Sequence, residues 1–136
     1  SFVRNPWERR VSQFEYAKRM YKEKKQEWTR ERKDLSFKEH IQQQKDCQLN
    51  WVSEYALPQM SSKKHDVAIN YVGRCENLQE DFNNICDKIE IPHQEVPHIN
   101  KTKHKEYAEY YDDETRAIAK ENAARDIEYF GYEFGE

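Results

Sequence analysis

The sequence predicts an α/β fold, mostly helical, with about two short parallel strands. Three observations carry this expectation. Ser1 to Val3 is short, apolar and β-prone, and Val67 to Val72 is a second apolar run closed by Gly73. Several stretches of helical periodicity lie between them, and parallel strands need a crossover of that length. Two strands alone cannot form a parallel sheet covered on both faces, so further strands are expected upstream of Ser1. The start at Ser1-Phe2-Val3, without a Met, reads as a chain cut from something longer.

The elements follow in order. Asn5-Pro6 is a helix start, with Asn as N-cap and Pro in the first helical position. Trp7, Val11, Phe14, Tyr21 and Trp28 then recur at helical spacing, with Ala17 and Met20 widening the stripe. The basic tract from Lys18 to Lys33 interleaves glutamates and reads as a solvated helix face. Ser36 with Glu39 three residues on forms a capping box for a short helix reaching about Gln44. A further helix is expected from Cys47 to Ala56, ended by Leu57-Pro58. Ser61 to Asp66 is a polar loop before the Val67–Val72 strand. Asn77 to Ile89 is an amphipathic helix with Leu78, Phe82, Ile85, Cys86 and Ile89 on one face. Pro92 and Pro97 bound an extended loop. Asp112 or Asp113 caps a last long helix whose buried face holds Ala119, Ala123, Ile127 and Phe130, with Gly131 as C-cap.

Composition narrows the class. The chain has 136 residues, enough for one domain or a large piece of one. Apolar and charged residues are each 36%, so the core must lean on the 13% of aromatic side chains, a content that argues against disorder. The net charge of −3 gives no general basic surface of the kind nucleic-acid binders carry. The three cysteines, Cys47, Cys75 and Cys86, include no CxxC pair, which speaks against a disulfide framework or zinc knuckle. They read as ordinary thiols. No apolar run approaches membrane-spanning length, and no signal peptide, repeat or low-complexity tract is visible.

Three segments concentrate chemistry. In Phe2-Val3-Arg4-Asn5-Pro6-Trp7-Glu8-Arg9-Arg10-Val11-Ser12, a strand delivers Arg4 to its C-terminal edge, where ligands of open α/β sheets bind. The Arg4 guanidinium is a planar fork of donors suited to phosphate, and Ser12 adds a hydroxyl two turns into the helix. Equally open is an Arg4 that pairs with a carboxylate and a Ser12 that merely packs. Around Gly73, backbone must approach something closely or turn tightly, and Arg74 then faces the same edge as Arg4 or simply opens a helix. Glu76 reads first as a favourable charge at a helix N-terminus. The loop Asn100-Lys101-Thr102-Lys103-His104-Lys105 gathers donors that either close over an anion or face solvent. His98 and His104 lack a third ligand at metal-binding spacing.

The first segment resembles the 3′-phosphate-binding motif of the sulfotransferases, strand-Arg-x-Pro-x-x-Arg-x-x-Ser. Arg4 and Ser12 stand at its phosphate-binding positions, and Asn5, Pro6, Glu8, Arg9 and Val11 fit the carbohydrate-modifying branch. Tyr71-Val72-Gly73-Arg74-Cys75-Glu76-Asn77-Leu78-Gln79-Glu80-Asp81-Phe82 is similar to the family's strand-Gly-Arg-x-Glu-x-Leu-x-x-Asp-Phe block. Pro97-His98-Ile99-Asn100-Lys101-Thr102 resembles its Pro-His-x-Asn-Lys-Ser/Thr loop. Tyr110-Tyr111-Asp112-Asp113-Glu114-Thr115 with Asp126-Ile127-Glu128-Tyr129-Phe130-Gly131-Tyr132 resembles its closing helix. The blocks occur in family order along nearly the whole chain.

The resemblance implies a P-loop-like parallel-sheet fold of which residues 1–136 are the C-terminal part of a single domain. It implies transfer of a sulfuryl group from 3′-phosphoadenosine 5′-phosphosulfate to a hydroxyl, with a carbohydrate as acceptor and no metal. Arg4, Ser12, Arg74, Lys101 and Thr102 become the candidate residues for the donor nucleotide. The family's phosphosulfate loop and usual catalytic base precede the Arg4 strand, so no catalytic residue is assigned here. The chain alone is expected to be inactive. The competing expectation, from another class, is a noncatalytic helical interaction module that keeps the scaffold. No nucleic-acid partner and no membrane segment are expected, and the compartment stays open between Golgi lumen and cytoplasm.

Overall fold

In a computed structural model, residues 1–24, 34–45, 47–49, 52, 71–97 and 105–135 are described. They group into two units. The first comprises residues 1–5 and 48–100, the second residues 6–47 and 101–136.

The first unit is built on a parallel pair. Strand β1 (Phe2–Val3) pairs with β2 (Gly73–Arg74) in the register Phe2↔Gly73, Val3↔Arg74. The expected parallel partnership is present, but the paired residues are Gly73 and Arg74, not Val67–Val72. Tyr71 and Val72 are outside the strand, and residues 67–70 lie outside the described residues. The reason for the shift is spatial. A Cβ built on Gly73 would stand 2.6 Å and 2.9 Å from Phe2 ring atoms and 3.0 Å from the Asp81 Cβ. Gly73 does not end the strand; it is the strand residue over which the Phe2 ring lies.

After β2 the chain makes one 3₁₀ turn (Cys75–Asn77) and enters α3 (Leu78–Lys88). Asp81, in the first turn of α3, reaches back to accept the Arg74 N–H (2.6 Å) and the Tyr71 hydroxyl (2.6 Å). That backbone bond, followed by the hydroxyl, holds the Asp81 carboxyl below its ordinary pKa, while the Tyr71 phenol is pushed up by the same carboxylate. Cys86 is the buried point of α3, whereas Ile89, expected on the same face, is 59% exposed. The helix ends at Lys88, and the following turn swings Ile89 off the stripe. Residues 92–97 form neither helix nor strand. Gln79 pins them with its amide, donating to the Gln94 carbonyl (2.9 Å) and accepting from the Val96 N–H (2.9 Å).

The second unit begins at α1 (Pro6–Lys24), directly after Asn5 as the Asn-Pro pair predicts. Its buried stripe is Trp7, Val11, Phe14, Ala17 and Met20, the expected face; Trp28 lies outside the described residues. Arg10 on this helix is only 1% exposed and donates to Gln44 (3.4 Å); of the Lys18–Lys33 tract, residues 25–33 lie outside the described residues. Helix α2 (Phe37–Gln43) starts on the predicted Ser36/Glu39 capping box. Of the helix expected over Cys47–Ala56, Gln48, Leu49 and Val52 are helical and most of the rest lies outside the described residues.

A second 3₁₀ turn (Tyr107–Tyr110) leads to α4 (Asp113–Asn122), capped by Asp112 in a reciprocal box with Thr115. The long last helix that the sequence suggests is broken at Ala123 (φ −114°, ψ 18°), and α5 (Ala124–Phe130) follows, ending on Gly131 at φ 68°. The break leaves Ala119 and Ala123 buried and puts Asp126 in the buried position expected of Phe130. There the Asp126 carboxylate accepts from the buried Cys47 thiol (2.8 Å). All three cysteines are free thiols.

Aromatic rings fill this unit, as the composition requires. Phe134 meets Trp7, Tyr107 and Tyr111 edge-on, each at 5.6 Å between centroids. Phe37 packs against Phe14 (5.3 Å), Tyr110 (5.5 Å) and Tyr111 (4.9 Å). Such pairs contribute about 0.5–1.5 kcal/mol each beyond area burial. Tyr111 donates to the Trp7 carbonyl (3.0 Å), and its burial pushes its phenol well above the usual range.

Two outcomes follow from this packing. Gly73→Ala should destabilise the protein by about 1–3 kcal/mol, since the new methyl overlaps a ring and a backbone-anchored Cβ. Denaturant unfolding should show the cost shrinking when Phe2→Ala is added, and equal cost in both backgrounds would refute the ring contact. For Asp81 the folded pKa lies below the unfolded value. Its stabilisation is therefore complete above the ordinary aspartate value of about 4 and disappears as the pH falls through the lowered folded value. Asp81→Asn should lower the thermal midpoint at neutral pH and flatten its decline on acidification, measured by circular dichroism from neutrality down to about pH 2.

Candidate functional site

The first unit positions the arginine that the sequence singles out. Pairing between the strands ends at Val3↔Arg74, so Arg4 lies one residue beyond the ladder. Its backbone groups do not go unsatisfied. The Arg4 N–H donates to the Gln48 Oε1 (2.9 Å), and the Gln48 Nε2 donates to the Arg4 carbonyl (2.7 Å). One residue on, the Asn5 N–H donates to the Glu76 carboxylate (2.5 Å). Buried backbone polar groups need such partners, and here three consecutive groups receive them from two side chains.

Arg4 and Arg74 thus leave neighbouring parallel strands at the same C-terminal edge. Ligands of open α/β sheets bind at that edge, and two guanidinium groups there make it attractive to an anion. Sharing an edge is not sharing a face. Arg74 is registered with Val3, and side chains alternate along a strand, so Arg4, the next position, is sent to the opposite side. Both arginine side chains are half-buried. The Arg74 N–H is occupied by Asp81, which fixes the start of the 3₁₀ turn.

The remaining candidates divide as follows. Ser12 lies on α1 in the second unit, half-buried, two turns from the helix start. Lys101 and Thr102 lie outside the described residues, as do His98 and His104. Among the described residues no three His, Cys, Asp or Glu side chains group as a metal site would require. Beside the edge, the 3₁₀ turn and the start of α3 line a cleft of about 270 Å³, with Glu76, Asn77, Gln79 and Val96 on its walls.

Three residues that do positional work at this edge escaped sequence reasoning. Glu76 reads as a helix-terminus charge, yet it accepts a backbone N–H from across the unit. Asp81 sits inside a quoted block without a role of its own. Both lie close to Arg74 in sequence, and their place in a block beside a Gly-Arg strand end was a usable signal. Gln48 had none, being 44 residues from Arg4 in the Cys47–Ala56 stretch, where only a helix was expected.

Comparison with known proteins agrees with the motifs. A profile described as "Sulfotransferase family" matches residues 1–133. An uncharacterized protein of Archaeoglobus fulgidus is 30% identical over 102 residues, covering 73% of this chain and 72% of that protein. No solved structure matches the chain. Among the described residues no helix is long and apolar enough to cross a membrane. With the profile spanning nearly its whole length, the chain belongs to the sulfotransferase family.

Proposed function

We propose that this protein transfers a sulfuryl group from 3′-phosphoadenosine 5′-phosphosulfate to a hydroxyl of a carbohydrate. The reading rests on one observation above all. The arginine of the Arg-x-Pro-x-x-Arg-x-x-Ser motif follows a parallel strand directly, and its backbone is held there by side-chain hydrogen bonds. Arg4 suits a nucleotide phosphate, because its guanidinium is a permanent, forked cation.

In this reading Arg4 binds the 3′-phosphate through its fork of N–H donors. Ser12, at the motif's hydroxyl position, donates a further hydrogen bond, and Arg74 adds positive charge at the edge. Lys101 and Thr102, in the Asn-Lys-Thr stretch, contribute the lysine charge and hydroxyl that a phosphate favours. The bound donor supplies the activated sulfuryl group. The chain's residues supply binding and charge, which by analogy with phosphoryl transfer is where most of the catalysis lies. No residue of this chain is assigned as the base.

Calorimetry with adenosine 3′,5′-bisphosphate on the intact protein is the test. A hydrogen bond to a charged group contributes roughly 1.5–3 kcal/mol, so Arg4→Ala should weaken binding about tenfold to a hundredfold. Unchanged affinity would remove Arg4 from the site. Arg4→Lys should recover only part of the loss, since it keeps the charge and gives up the fork. Full recovery would mean that Arg4 acts as a point charge.

A further inference from the structure

We propose that Gln48 is a positioning residue for the nucleotide site, its carboxamide standing in for a neighbouring strand and locking the backbone of Arg4. The proposal rests on the functional reading above and adds to it the residue that aims the arginine.

The geometry is that of a cyclic amide pair. The Gln48 Oε1 accepts from the Arg4 N–H at 2.9 Å while its Nε2 donates to the Arg4 carbonyl at 2.7 Å. A carboxamide carries a donor and an acceptor in one plane, as a peptide group does, so a single side chain can satisfy both backbone groups of one residue. The two peptide planes flanking the Arg4 Cα are thereby fixed, and the Cα–Cβ direction follows from them. The Glu76 carboxylate, accepting from the Asn5 N–H, holds the next peptide. The clamp begins where the ladder stops, for Val3↔Arg74 is the last registered pair.

Burial gives the clamp its stiffness. Gln48 is 7% exposed, so water competes little for these bonds, and a hydrogen bond in low dielectric is stronger than one in solvent. A glutamine that only filled space here would have no need of its amide. A long arginine side chain loses binding energy if its origin wanders, because its forked contacts demand orientation as well as charge.

The experiment compares two ligands on the intact protein by calorimetry, adenosine 3′,5′-bisphosphate and adenosine 5′-phosphate, which lacks the 3′-phosphate. The proteins are wild type, Gln48→Met, Gln48→Glu and Arg4→Ala, each confirmed folded at the assay temperature by circular dichroism. Gln48→Met keeps the length and removes both hydrogen bonds. It should cut the preference for the bisphosphate by about tenfold, the loss of about one good charged contact, and leave affinity for adenosine 5′-phosphate unchanged. Gln48→Glu keeps the volume and the acceptor for the Arg4 N–H but loses the donor to its carbonyl. It should show a loss of the same kind, and it carries the test if Gln48→Met does not fold. A general structural role would lower both affinities together, and that result, or an unchanged preference, overturns the proposal while leaving the Arg4 assignment standing. If Arg4→Ala itself leaves the preference intact, the functional reading fails and the clamp with it.

Discussion

A two-residue parallel pair leaves more backbone hydrogen-bonding groups open than it closes, and the first unit is organised around that deficit. Phe2–Val3 and Gly73–Arg74 satisfy each other over two registered positions, after which both chains must leave the sheet. Polar side chains take over at that point. Gln48 closes both backbone groups of Arg4, Glu76 takes the Asn5 N–H, and Asp81 takes the Arg74 N–H. A buried N–H or C=O left without a partner costs as much as a lost hydrogen bond. These residues therefore maintain the edge as much as any apolar contact does. They also set how rigidly the strand end presents Arg4 and Arg74.

The close approach of the strands depends in turn on a missing side chain. Gly73 accommodates the Phe2 ring at distances no other residue would allow. The same glycine that looks, in sequence, like a strand terminator is what lets the strand pair form. Its neighbour Arg74 then meets the Asp81 carboxylate, so the turn into α3 starts at a defined residue. Packing, turn and candidate ligand edge are thus three aspects of one short stretch, Tyr71 to Asp81.

The second unit solves a different problem, that of making a core with few aliphatic residues. Phe134 and Phe37 each gather aromatic rings edge-on, and Arg116 lies over the Phe134 ring at 4.5 Å. Ring edges meeting ring faces give these contacts directionality that aliphatic packing lacks. Two polar pairs also tie this unit together, the Asp126 carboxylate with the Cys47 thiol and the Asn122 amide with the Ile41 carbonyl (3.1 Å). After Tyr107, Tyr111 and Phe134 belong to this ring packing.

By itself the sequence determined the elements whose cause is local. The Asn5-Pro6 start of α1, the Ser36/Glu39 box, a cap at Asp112 or Asp113 and the Gly131 stop are each visible in sequence, because their donors and acceptors lie within four residues of one another. The helical stripe of α1 and the motif that places Arg4 after a strand were legible for the same reason. Register was not, because two apolar runs carry no mark of which residue opposes which; the Phe2 ring over Gly73 decided it. Nor was the clamp on Arg4, since a glutamine 44 residues away looks like any other until the chain folds it onto the strand end. Ile89 and Phe130 were misplaced by periodicity, because one lies past the end of its helix and the other follows the break at Ala123. Local chemistry is written in short spacings, whereas the tertiary structure alone decides which distant polar group satisfies which backbone, and the hold on the Arg4 backbone hangs on that choice.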